Sequence, residues 1–122
     1  MLPLGQLRAA GPGPGQVRSR DAVRRYVTVF ALTPAEESAI RIRCFAPAFG
    51  VYEDPVTGSA NAALPAYLAR AGLLDSVGRE YVSTQGTELG RDGRVYVRAL
   101  DEQGRAEIGG HAVTVVEGEI RL

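Results

Sequence analysis

Glu53-Asp54-Pro55-Val56-Thr57-Gly58-Ser59-Ala60-Asn61, running on into the apolar stretch Ala62 to Arg70, decides how this chain is read. Pro55 pushes Asp54 out of helical geometry, and Thr57, Ser59 or Asn61 can cap a helix start. Gly58 leaves room for a ligand to approach the main chain. The unpaired N–H groups of a first helical turn, backed by the helix dipole, favour a carboxylate or phosphate by roughly 0.3 to 2 kcal/mol. Asp54 beside them can orient or exchange a proton. The same residues also describe a polar turn with a capping residue, so the motif alone leaves both readings open.

Downstream, Ala60, Ala63, Leu64, Tyr67, Leu68 and Ala71 recur at helical spacing, and Ala62 and Ala66 make the helix apolar nearly all round. Such a helix needs a sheet curling about it. Pro65 forfeits one backbone bond, and Gly72 is placed to end the helix in a left-handed residue. Upstream, Tyr26 to Phe30 and Ala39 to Phe45 alternate as strands, the latter with Ile40, Ile42 and Cys44 on one face. Thr33-Pro34-Ala35-Glu36-Glu37 supplies the turn between them. Further strands are expected at Glu80 to Thr84, Arg94 to Leu100, Arg105 to Ile108, Ala112 to Glu117 and Glu119 to Leu122. Asp92-Gly93, Gln103-Gly104 and Gly118 read as hairpin turns. The expected class is α+β, an antiparallel, barrel-like sheet wrapped around one central helix. Residues 1–20, with Gly11-Pro12-Gly13-Pro14-Gly15, show no periodicity and read as a flexible lead before a single domain at 21–122.

Composition narrows the function. Among 122 residues, 14 basic side chains balance 14 acidic ones, which removes the electrostatic case for nucleic acid or a membrane surface. No apolar run approaches a membrane span and no signal-peptide pattern opens the chain, so a cytoplasmic protein is expected. One cysteine, Cys44, allows neither an intrachain disulfide nor a Cys-rich metal site. It reads as a buried spacer on a strand.

Arg43-Cys44-Phe45-Ala46-Pro47, Gly50-Val51-Tyr52-Glu53-Asp54-Pro55-Val56-Thr57-Gly58-Ser59-Ala60, Tyr67-Leu68, Gly72-Leu73, Gln85-Gly86, Gly90-Arg91 and Ile108-Gly109-Gly110 follow one another in an order that resembles the phenazine-biosynthesis PhzF-like family, whose fold is related to diaminopimelate epimerase. The resemblance is most specific in residues 43–60, extends through 122, and starts near residue 24. It covers the family's second half. It implies two pseudo-symmetric halves, each a barrel-like sheet around one helix, with the site between them. It also implies an acid/base glutamate and a histidine in a Gly-His-Ala-Thr segment of the first half, neither with a counterpart here, so that Met1 falls where a full-length member is mid-domain. Within the second half it assigns Asp54 as the catalytic aspartate and, with Thr57 adjoining, Gly58 and Ser59 as substrate contacts. Two-thiol racemisation, as in diaminopimelate epimerase-type enzymes, is unavailable because the corresponding turn holds Asp54 and Pro55.

Three other residues attract functional readings. His111 superficially echoes the Gly-His-Ala-Thr segment, but the following Val113-Thr114-Val115-Val116 is strand-like, which favours a structural or surface histidine. Arg91 can fork onto a carboxylate or sit solvated in a hairpin. Glu53 beside Asp54 raises a carboxylate pair, although neighbours on an extended segment point apart. Three functions remain: a cofactor-independent, PhzF-like isomerase moving a proton on a small carboxylate-bearing substrate, a non-catalytic anion-binding half-domain, or a truncated relic that dimerises. No cofactor and no metal are expected. The isomerase needs a partner, either a second copy in a homodimer or a separate N-terminal half.

Overall fold

The computed structural model describes Gln6 and residues 26–33, 38–101 and 103–122. The expected lead at 1–20 (Gln6 aside) and the turn at Pro34 to Glu37 lie outside the described residues.

Two β-branched, alternating segments open the sheet. Strand β1 (Val27–Leu32) pairs antiparallel with β2 (Ile40–Ala46), from Val27 opposite Phe45 to Leu32 opposite Ile40. Ile40, Ile42 and Cys44 turn one face of β2 into the core, each at 1% exposure or less. A 3-10 turn at Pro47–Phe49, ended by Gly50 at φ +75°, folds the chain back as β3 (Val51–Asp54). Helix α1 (Gly58–Arg70) follows and continues through Pro65. It stops where expected: Gly72 takes φ +66°, its N–H bonds to the Ala69 carbonyl, and the Leu73 N–H reaches back to Leu68 at 2.8 Å. Those two bonds satisfy carbonyls that a helix end otherwise leaves open.

After a short helix α2 (Leu74–Val77) come β4 (Glu80–Gln85), β5 (Gly93–Ala99) and β6 (Ala106–Gly109). The order across the sheet is β1-β2-β4-β5-β6, with β3 alongside β2. The class is α+β as expected, but the sheet is mixed. β4 runs parallel to β2, with Ile40 opposite Ser83 and Ile42 opposite Gln85. The connection from β2 to β4 holds both β3 and α1, and parallel neighbours require a long crossover of this kind.

Among the described residues the sheet is also open, so the expected wrap around α1 is incomplete there. Ala60, Leu64 and Leu68 pack into the core, whereas Ala63, Tyr67 and Ala71 of the same expected stripe are exposed. The strands expected at Ala112 to Glu117 and Glu119 to Leu122 carry no strand structure. Their alternation has no neighbouring backbone to pair with, and Val113, Val115 and Val116 stand at least 85% exposed.

Candidate active site

The site forms where β2 changes neighbour. Gln85 ends β4 opposite Ile42, and Asp54 ends β3 opposite Cys44, so two strand ends meet over one short stretch of β2. Gln85 closes that junction. Its Nε2 donates to the Asp54 carbonyl at 2.7 Å and to Thr57 Oγ1 at 2.8 Å, while its Oε1 accepts the Thr57 backbone N–H at 3.0 Å. A primary amide at 1% exposure has to be satisfied at both ends, and this one is.

Thr57 occupies the N-cap of α1, yet its hydroxyl turns to the aspartate and donates to Asp54 Oδ2 at 2.7 Å. The Asp54 carboxylate is thereby held at the head of the helix. Asn61, fully buried one turn in, donates through Nδ2 to the Thr57 carbonyl at 2.9 Å and accepts from Ser83 Oγ. No side-chain hydrogen bond caps α1, so neither Ser59 nor Asn61 takes the capping role offered to it by the sequence. Gly58 and Ser59, at the first two helical positions, are exposed.

Gly58 forms part of the wall of an open cleft of about 760 Å³, with Val56, Asp92, Arg94, Ile108 and His111. Asp54, Thr57 and Ser59 are not among its walls. Two glycines seat the loop that carries the motif. A Cβ on Gly86, which has φ +86°, would stand 2.7 Å from the Pro55 carbonyl, and one on Gly93 would stand 2.5 Å from Val56 Cγ2. The Pro55 backbone and the Val56 side chain therefore rest directly on the β4–β5 turn.

Glu53 belongs to a different assembly. Arg43 grips it through Nε to Oε1 at 2.8 Å and Nη2 to Oε2 at 2.7 Å, both side chains nearly buried. That hydrogen-bonded carboxylate raises the Arg43 pKa above its ordinary value, against the opposing pull of desolvation. Glu53 is held by Arg43 and Asp54 by Thr57, so the carboxylate pair does not form. Cys44 is buried and unpaired, accepting from Thr28 Oγ1 at 3.6 Å. His111 is exposed and sets its ring edge-on to Tyr96 at 6.1 Å. Arg91 is exposed, its backbone N–H bonded to Gly86. Among the described residues no group of three or more His, Cys, Asp or Glu side chains is arranged to hold a metal ion.

Sequence reasoning overlooked Gln85 and Ser83 and misread Asn61. The signal lay in β4, where Tyr81, Ser83 and Gln85 alternate onto the buried face. Two polar residues at inward positions of a strand require polar partners, and those partners are Asn61, Thr57 and the Asp54 backbone.

The family described as "Phenazine biosynthesis-like protein" matches residues 6–118. This chain belongs to that family. The phenazine biosynthesis-like match begins upstream of residue 24, where the resemblance was expected to start. Trans-2,3-dihydro-3-hydroxyanthranilate isomerase of Pseudomonas chlororaphis is 41% identical over 85 residues, which are 67% of this chain and 30% of that protein. An uncharacterized isomerase of Clostridium acetobutylicum is 42% identical over 101 residues, 77% of this chain and 33% of its own. Among solved structures, a PhzF-family phenazine biosynthesis protein of Bacillus anthracis superimposes with a TM-score of 0.50 at 32% identity, over 68% of this chain and 29% of that one. The chain thus spans 30 to 33% of the length of these two curated relatives. No helix among the described residues is long and apolar enough to cross a membrane.

Proposed function

We propose that this domain forms one wall of a cofactor-independent isomerase site that moves a proton on a small carboxylate-bearing metabolite. The observation that carries the reading is the Thr57 hydroxyl bound to Asp54 Oδ2 at 2.7 Å, which fixes a carboxylate beside an uncapped helix start. The N–H groups of Gly58 and Ser59 bind the substrate carboxylate, and Asp54 orients the substrate or its migrating proton. Membership of a family whose relatives are named isomerases supports the chemistry.

The acid/base glutamate comes from outside these 122 residues, on a second half that faces this one. A separate N-terminal half supplies that glutamate and completes the site, whereas a homodimer, in which the motif faces its own copy, assembles the fold without it. The compartment proposed is the cytoplasm, where the single thiol Cys44 stays reduced.

A second reading has its own support. Gln85 takes up the Thr57 amide and the Asp54 carbonyl, so much of the motif's polarity already serves the fold. On that reading the domain binds an anion without turning it over. Proton exchange distinguishes the two. With a dihydroaromatic amino acid in deuterated water, the chain alone gives no exchange and a mixture with a glutamate-bearing first half does, in a manner abolished by Asp54→Asn. Exchange that survives Asp54→Asn, or no exchange in any mixture that forms a stable complex, would defeat the isomerase reading.

A further inference from the structure

We infer that residues 112–117 are a donor strand that adds to the β1 edge of a second copy of this chain, and that the second copy returns its own. The donor is visible as an unused strand. Val113-Thr114-Val115-Val116 alternates with β-branched residues, which suit a pleated, half-buried surface, yet its valines are 85% exposed or more. In an extended segment Val113 and Val115 fall on one face.

The acceptor is equally unused. Among the described residues β1 pairs on one side only, and between it and α1 runs an open groove of about 310 Å³ lined by Tyr26, Thr28, Phe30, Ala63, Leu64 and Tyr67. Phe30 and Tyr67 set its floor, edge to face at 5.6 Å. Tyr26 and Tyr67 are 48% and 44% exposed. An unpaired strand edge beside an apolar groove is the arrangement that an added strand completes, the edge bonding its backbone and the groove taking alternate side chains.

The donor does not reach its own sheet by a tight reversal. A two-residue hairpin back onto β6 needs positive φ, and Gly109, Gly110 and Gly118 are absent from the glycines that have it. The chain instead runs on past Arg94, with His111 resting on Tyr96. In this arrangement donor and acceptor meet between molecules, and a two-fold axis satisfies both edges at once. The inference gives the association invoked above a definite surface. Its tests leave Asp54 untouched, so its failure is separable from failure of the proton-transfer reading.

Light scattering on the full chain across a dilution series is expected to report a dimer. Val113→Lys with Val115→Lys is expected to raise the dissociation constant about a hundredfold or more, with an unchanged far-UV circular dichroism spectrum. Ala63→Arg is expected to act likewise from the groove side. A chain carrying Ala63→Cys and Val115→Cys is expected to oxidise to a covalent dimer. A wild-type monomer throughout, a dimer indifferent to both sets of substitutions, or an intrachain crosslink in the double-cysteine chain would each overturn the inference.

Discussion

Gln85 holds Thr57 at both ends of its own side-chain amide: Oε1 accepts the Thr57 N–H at 3.0 Å and Nε2 donates to the Thr57 hydroxyl at 2.8 Å. The end of β4 thereby fixes the residue that fixes Asp54. Gln85→Ala leaves the part-buried Asp54 carbonyl and the Thr57 amide without this partner, and a loss of about 1 to 3 kcal/mol in urea unfolding is expected. Asp54 should also lose its orientation, seen as altered chemical shifts at Thr57 and Gly58.

Glu53→Ala removes the carboxylate that grips the nearly buried Arg43 guanidinium through two hydrogen bonds, leaving Glu88 3.8 Å away. Breaking one side of a buried pair costs about 3 to 5 kcal/mol. Glu80→Ala, which removes an exposed partner of Arg98, should change stability by less than about 1 kcal/mol. Chemical denaturation of the two variants side by side checks the contrast.

Tyr81 is buried and its hydroxyl has no hydrogen-bond partner among the described residues. Burial pushes its pKa above the ordinary tyrosine value of 10.0, because the phenolate is poorly solvated there. A folded-state pKa raised above the unfolded one gives stability that is complete below about pH 10 and is lost as the pH rises beyond it. Tyr81→Phe removes both the unsatisfied hydroxyl and the titration. It should leave neutral-pH stability unchanged or raise it by up to about 1 kcal/mol, and blunt the alkaline loss measured by unfolding across pH.

Gly93 has no positive φ, so its need for glycine is one of space. A Cβ there would lie 2.5 Å from Val56 Cγ2, 2.6 Å from the Gln85 carbonyl and 2.9 Å from that of Pro55. Gly93→Ala is expected to cost about 1 to 3 kcal/mol and to lift the 55–56 loop. The melting temperature, together with amide shifts of Val56 and Thr57, reads both effects.

Much of this was legible in the residues because it is local. Ile40, Ile42 and Cys44 alternate, Ala60, Leu64 and Leu68 recur at helical spacing, and Gly72 sits two residues past the helix end at Arg70; each pattern predicts its own element without reference to the rest. β3 was not legible. Its four residues become a strand only because Val51 and Asp54 find Ala46 and Cys44 across a bulge. The parallel β2–β4 pairing escaped for a similar reason, since direction is settled by the long connection through β3 and α1 and not by the alternation of Ser83 and Gln85. Val113 to Val116 shows the converse: a strand pattern without a neighbour to make it a strand. At the site, Asp54, Gly58 and Ser59 were marked by the motif, but Gln85 lies 28 residues beyond the Thr57 it serves.

The account rests on an anion being held by the first-turn amides of α1 beside Asp54. Titration of anthranilate into the isotopically labelled chain, followed through the backbone amides, tests this most directly. Saturable shifts of the Gly58 and Ser59 N–H signals, altered by Asp54→Asn, are the predicted result. Gly58 and Ser59 signals that stay unmoved while other amides shift, or that stay unmoved at every concentration, would contradict it.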